Sequence, residues 1–151
     1  LLVAAATRDL GEYLHQQRQA GHFREDFQST PAGPVAYHAP CHLRAQNIGF
    51  RGRDLMRRIP GVTPKLVAEC CGHDGTWAIK TEHHAASLEN GRRAFEGMAE
   101  AEAGVWTTEC PLAALQFQQA CGREPMHPIQ VLDRAYRADG FPTAVAPKEQ
   151  V

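Results

Sequence analysis

The sequence has no long hydrophobic run and no excess of charge of either sign. Its 16 basic residues nearly balance 17 acidic ones, so the net charge of −1 gives no broad basic surface for nucleic acid or an anionic membrane. No apolar stretch approaches the roughly 20 residues of a membrane-spanning helix. Residues 1–6 are too few, and lack the basic flank, for a signal peptide. We therefore expect no nucleic-acid partner, and membrane contact only through partner proteins.

Two kinds of functional motif are also missing. No GxGxxG motif stands at a strand-to-helix junction, so the sequence does not predict a dinucleotide site. No acid–base or nucleophile–base arrangement indicates bond-making chemistry by side chains, so we do not expect a catalyst acting alone. The five cysteines are an odd number that fits no small disulfide scaffold. We expect a reducing compartment, the cytoplasm, with peripheral attachment to the inner face of the cell membrane as an option.

The length and composition predict one globular domain. The 151 residues are 43% hydrophobic, which is enough apolar material for a layered core. The chain begins without methionine, in an apolar run (1–6) that we interpret as a short buried strand, so we expect the C-terminal piece of a longer protein. We place the domain at residues 1–138 and a loose tail at 139–151, which holds two prolines and no hydrophobic periodicity.

Short β-prone runs alternate with amphipathic helical segments along the chain. The runs lie at residues 34–40, 65–69 and 105–109, and a long helix is predicted to begin near Thr81, with His83 and His84 exposed to solvent. Its predicted inner stripe is Leu88, Gly91, Phe95 and Met98. Strands alternating with helices predict an α/β fold with a Rossmann-like layered parallel sheet and crossover helices.

A cysteine follows each of the three predicted strands. Cys41, the Cys70-Cys71 pair and Cys110 stand at these ends, and parallel pairing would bring all four thiols to one edge of the sheet. The pair opens a turn containing Gly72 and Gly75, whose main-chain N–H groups can face the sulfurs. Cys121 lies at the far end of a helix, so we leave it out of the site.

Several kinds of thiol site remain open from the residues alone. Four thiolates can bind an iron–sulfur cluster or a tetrahedral zinc ion with a structural or regulatory role in subunit contacts. A metal-free redox enzyme using Cys70-Cys71, with Cys41 as the resolving thiol, is the least favoured because adjacent cysteines form strained disulfides. His42 and His73 are placed where they could bind the group or donate an N–H to sulfur, or they are partly exposed turn residues.

The order Cys41, Cys70-Cys71-Gly72, Cys110-Pro111 resembles the cysteine-rich CCG domain family. This family includes domains of the B subunit of heterodisulfide reductase, the iron–sulfur subunit of glycolate oxidase and the iron–sulfur subunit of anaerobic glycerol-3-phosphate dehydrogenase. The local sequences at 37–42 and 71–77 are most similar to the last of these. The resemblance covers nearly the whole chain.

The resemblance implies a C-terminal CCG domain of an electron-transfer subunit in a multi-subunit oxidoreductase. It implies an iron–sulfur cluster, of 4Fe–4S type, held by Cys41, Cys70, Cys71 and Cys110. The implied partners are a flavoprotein dehydrogenase subunit and an N-terminal iron–sulfur domain. The sequence departs from the family pattern at one point, because the last cysteine of the family's CxxC is Ala113 here. Four thiolates therefore remain where the family pattern has five.

Overall fold

The computed structural model describes residues 1–141, which form a mixed α/β fold. The helices of this part of the chain are α1 Leu2–Ala6, α2 Leu10–Gln19, α3 Cys41–Gln46, α4 Arg51–Met56, α5 Thr81–Glu100, α6 Pro111–Cys121 and α7 Pro128–Tyr136. The strands are β1 Val35–His38, β2 Lys65–Val67 and β3 Val105–Thr108. The three predicted strands that precede cysteines are therefore confirmed.

The strands form a parallel sheet in the order β2-β1-β3. In the register of the sheet His38 pairs with Val67 on one side and with Thr108 on the other, so the last residues of all three strands lie in one row. Beyond β3, Met126 adds an isolated parallel bridge to Thr107. The segments that follow the strands consequently leave the sheet from a single edge.

Each face of the sheet carries its own buried cluster, because successive strand residues point to opposite faces. The α4/α7 cluster consists of Val35, Tyr37, Ala39, Leu55, Met56, Ile59, Val62, Val131, Leu132 and Ala135. The α5/α6 cluster consists of Ala36, Val67, Cys71, Ala94, Met98, Ala101, Ala103, Trp106, Ala113 and Phe117. Helices thus cover both faces of the sheet. Because the sheet described here has three strands, its Rossmann-like character stays a prediction.

Local sequence signals set several helix ends. The Asp9 side chain caps α2 by accepting a hydrogen bond from the Gly11 N–H at 2.8 Å. Pro111 occupies the first turn of α6, and Gly122 ends that helix in the left-handed conformation. His127 caps α7, and its Nδ1 accepts from the Ile129 N–H at 3.1 Å. His127 therefore has a structural role at the start of α7.

Some expectations from the sequence were wrong in detail. The first residues form the exposed helix α1 rather than a buried strand. Alanine is the strongest helix former, which explains the difference. His83 stacks on the Trp77 ring, with centroids 4.9 Å apart, and is not fully exposed to solvent. The buried face of α5 is Ser87, Gly91, Ala94 and Met98, so Leu88 and Phe95 lie at its margin.

The structure describes only the start of the predicted C-terminal tail. Most of the predicted tail, residues 142–151, lies outside the described part of the chain. Gly140, at its start, is buried and its N–H donates to the Arg137 carbonyl at 3.2 Å. The division at residue 138 stays a prediction. No helix within residues 1–141 has the length and apolar character needed to cross a membrane.

Candidate metal centre

The carboxyl edge of the sheet delivers the four cysteines singled out in the sequence. Cys41 is the first residue of α3, the Cys70-Cys71 pair begins three residues after the end of β2, and Cys110 is the N-cap residue of α6. Because the three strands end in one row of the register, the segments that carry the four cysteines all leave the sheet at the same end. This is the edge at which open α/β sheets place their ligands.

Cys71 lies at the inner side of this edge, where it is 7% exposed and belongs to the α5/α6 cluster. The pKa of its thiol is raised to about 11, chiefly by burial, and charge repulsion from the thiols of Cys70, Cys110 and Cys41 acts in the same direction. A hydrogen bond from the His73 backbone acts in the opposite direction.

The other three cysteines differ in exposure. Cys41 and Cys70 are exposed and line a cleft of about 530 Å³ together with His73, Trp77 and Asn90. Cys110 is half-buried and borders a separate cleft of about 440 Å³. Within residues 1–141 no three histidine, cysteine or acidic side chains are arranged to hold a single metal ion. In this part of the chain the four thiols therefore lie near the carboxyl ends of the strands without forming a preassembled single-ion site.

The turn after Cys71 depends on glycine. Gly72 has φ +80°, and its N–H donates to the Cys70 sulfur at 3.4 Å. A β-carbon at residue 72 would lie 2.8 Å from the Gly91 nitrogen and closer still to the Ser87 carbonyl oxygen. Gly75 also has a positive φ, of 47°, but faces open space. The expectation that main-chain N–H groups face the sulfurs is confirmed for Gly72.

A buried polar pair that the sequence did not reveal anchors this turn. The Ser87 hydroxyl in α5 donates to the Gly72 carbonyl at 3.0 Å, and the Gln116 amide in α6 donates to the Ser87 hydroxyl at 2.7 Å. Both side chains are almost fully buried. Buried polar groups must be hydrogen-bonded to be tolerated, and here they fix the turn against two helices. In the sequence, the small and polar residues on the inner face of α5 were the available sign of this buried pair.

His38, at the end of β1, also lies near the cysteines, although the sequence predicted only that it belongs to a strand. Its Nε2 lies 3.1 Å from the Glu69 carbonyl, and its Nδ1 lies 3.0 Å from the Thr108 hydroxyl. The ring is 1% exposed and meets Phe117 edge-on. Burial lowers its pKa to about 4, against an opposing effect of the Glu69 hydrogen bond. The imidazole is therefore neutral at physiological pH.

The two histidines proposed from the sequence occupy different positions. His42 follows Cys41 in α3 and is exposed. His73 follows Gly72, and its Nδ1 is buried without a hydrogen-bond partner in the described part of the chain. An unpaired buried ring nitrogen is costly unless a bound group completes it. With the thiols and the Gly72 N–H, this atom gives the edge a donor set that suits an iron–sulfur cluster.

The remaining two positions of interest lie in α6. Ala113 is fully buried and belongs to the α5/α6 cluster, as Cys71 does. Cys121 is half-buried at the end of α6 and packs against the same cluster, and burial raises its pKa. Position 113 is thus in the first turn of α6, close to the N-cap residue Cys110, whereas Cys121 is the last residue of the helix.

Comparison with known proteins assigns this arrangement to a family. Residues 35–118 match the model of the CCG cysteine-rich domain, and the chain belongs to that family, as the cysteine pattern predicted. Over 102 residues it is 30% identical to the C subunit of anaerobic glycerol-3-phosphate dehydrogenase from Escherichia coli strain K12 and, equally, from strain O157:H7. The match covers 67% of this chain and 26% of each relative, so the chain spans about a quarter of their length. No solved structure matches the chain significantly.

Proposed function

We propose that this domain binds an iron–sulfur cluster, of 4Fe–4S type, and passes electrons within a multi-subunit flavin dehydrogenase. The observation that carries the proposal is the delivery of Cys41, Cys70, Cys71 and Cys110 to one sheet edge in a member of the CCG family. Cysteine thiolates are the usual ligands of such clusters. The Rossmann-like layering expected from the sequence belongs to the same proposal.

Each side chain at the edge has a definite role in this proposal. The four thiolates would hold the cluster, which supplies one-electron transfer when bound. The Gly72 N–H already faces the Cys70 sulfur, and hydrogen bonds to sulfur tune reduction potential. The orphaned Nδ1 of His73 would donate to the cluster or bind it. Burial of Cys71 keeps water away from the inner side of the site.

The electron partners follow from the relatives rather than from the geometry. The two curated relatives are named as subunits of a dehydrogenase. We accordingly propose that the domain works beside a flavoprotein dehydrogenase subunit and an N-terminal iron–sulfur domain. The domain would then act in the cytoplasm, and any attachment to the inner face of the membrane would come through these partners.

A pair of serine variants tests the assignment of the site. Under anaerobic purification the parent chain should be brown and bleach on reduction. Cys70→Ser should lose the visible absorption, because it removes a ligand. Cys121→Ser is the matched control and should keep the absorption, because Cys121 lies at the far end of α6. Equal loss in both variants would contradict this ligand set. If the parent protein is colourless and carries zinc, the site is a zinc-thiolate site and the iron–sulfur assignment is wrong.

A further inference from the structure

We propose that His38 is a positioning residue for the cysteine site, because its two ring nitrogens tie the loop before Cys70 and the end of β3, two residues before Cys110, to strand β1. The proposal rests on the proposed function only for the identity of the group that the cysteines bind. β1 itself leads into Cys41, so His38 would fix all three cysteine-bearing segments relative to one another.

The directions of the hydrogen bonds follow from the chemistry of the groups. The Glu69 carbonyl can only accept, so Nε2 of His38 must donate to it across 3.1 Å. Nδ1 of the neutral ring then accepts from the Thr108 hydroxyl at 3.0 Å. The Thr108 oxygen in turn accepts from the Cys110 N–H at 3.4 Å. The result is a continuous chain from the Cys110 backbone to the residue before Cys70.

This chain of hydrogen bonds lies where the backbone pairing of the strands ends, close to the cysteines. His38 and Thr108 face each other at the ends of paired strands, and the backbone pairing of β3 with β1 stops there. His38 and Thr108 are 1% and 3% exposed, so water cannot replace either partner without opening the site. The edge of Phe117 fixes the plane of the imidazole. Removing the imidazole would leave the Glu69 carbonyl and the Thr108 hydroxyl without these partners.

A general loss of stability must be separated from a loss of positioning. Thr107 provides the matched control, because it is also a buried β3 threonine and its hydroxyl donates to the Ala36 carbonyl at 2.8 Å. Thr107→Val and Thr108→Val each delete one buried hydroxyl from the same strand. Only the second deletes a hydrogen bond to a cysteine backbone.

The experiment measures how firmly the protein holds its metal. The anaerobically reconstituted chain is mixed with an iron chelator, and the rate of iron release is followed. Residues that orient metal ligands typically change affinity by about 10- to 100-fold. We expect release to be about 10-fold or more faster in Thr108→Val and His38→Ala, and close to the parent rate in Thr107→Val. His38→Asn and His38→Gln each preserve one hydrogen bond and should fall between the parent and His38→Ala.

A second readout uses Zn²⁺ alone, measured by competition with a chromophoric chelator on the cluster-free chain. The same ranking of variants is expected, since Zn²⁺ also binds thiolates. If Thr107→Val and Thr108→Val behave alike in both readouts, the positioning role is wrong. The proposed function still stands in that case if the parent protein holds iron and sulfide. If the parent binds Zn²⁺ with the expected ranking but no cluster, positioning stands and the proposed function fails. A parent that binds neither overturns both.

Discussion

For Gly91→Ala the structure predicts a loss of stability, which is the opposite of the usual effect of this substitution in a helix. Replacing glycine by alanine inside a helix normally stabilises it by about 1 kcal/mol. Here Gly91 lies on the buried face of α5, against the turn that carries Cys71. A β-carbon at residue 91 would lie 2.9 Å from the Cys71 carbonyl carbon and closer still to its oxygen. That distance is about 0.6 Å shorter than a favourable carbon–carbon contact.

The overlap falls on backbone, so a change of side-chain rotamer cannot relieve it completely. Overpacking of this kind costs about 1–3 kcal/mol. After the gain in helix propensity, we expect Gly91→Ala to be about 1 kcal/mol less stable than the parent in urea unfolding. The displaced turn should also release iron faster, because Cys70 and Cys71 would move with it.

Gly97→Ala in the same helix is the matched control. A β-carbon there would meet a Val67 methyl group at 3.1 Å, and a side chain can shift where a backbone cannot. Gly97→Ala should therefore be as stable as the parent or up to about 1 kcal/mol more stable, with unchanged iron retention. A Gly91→Ala protein that gains as much stability as Gly97→Ala and holds its iron would refute the close approach of the turn to α5.

Two further predictions concern the site. Ala113→Cys places a thiol in the buried cluster that contains Cys71, so it should change the visible spectrum or the oxygen stability of the reconstituted protein; identical behaviour would show that position 113 does not reach the site. In the cluster-free chain, His38 stays neutral when folded down to its pKa of about 4 but protonates near 6.5 when unfolded, so stability should rise with pH across this window. The gain from pH 4 to 7 is on the order of 3 kcal/mol, and urea unfolding should show it reduced in His38→Asn; an equal pH dependence in both proteins would contradict this origin.

The strands and the cysteine edge could be predicted because local signals define them. β-prone runs that stop just before Cys41, Cys70 and Cys110 locate strand ends, and parallel pairing then needs only the alternation of strands and helices. The helix at residues 2–6 could not be distinguished from a strand, because a short apolar run has no decisive periodicity. Its alanines were the neglected signal.

The contacts that hold the site could not be predicted, because they depend on which elements become neighbours. His38 meets both Glu69 and Thr108 only because β1 lies between β2 and β3. The inner face of α5 carries Ser87 and Gly91 instead of large apolar residues, because the turn at Gly72 approaches the helix backbone. Hydrophobic periodicity favours large side chains, so it identified Gly91 and Met98 correctly but selected Leu88 and Phe95 in place of Ser87 and Ala94.

The most direct test of the account is the iron and acid-labile sulfide content of the chain after anaerobic preparation. A domain that holds a cluster through Cys41, Cys70, Cys71 and Cys110 should contain both elements in comparable amounts, with visible absorption that bleaches on reduction. A chain that contains zinc without sulfide, or that takes up neither metal after reconstitution, would contradict the proposed electron-transfer function.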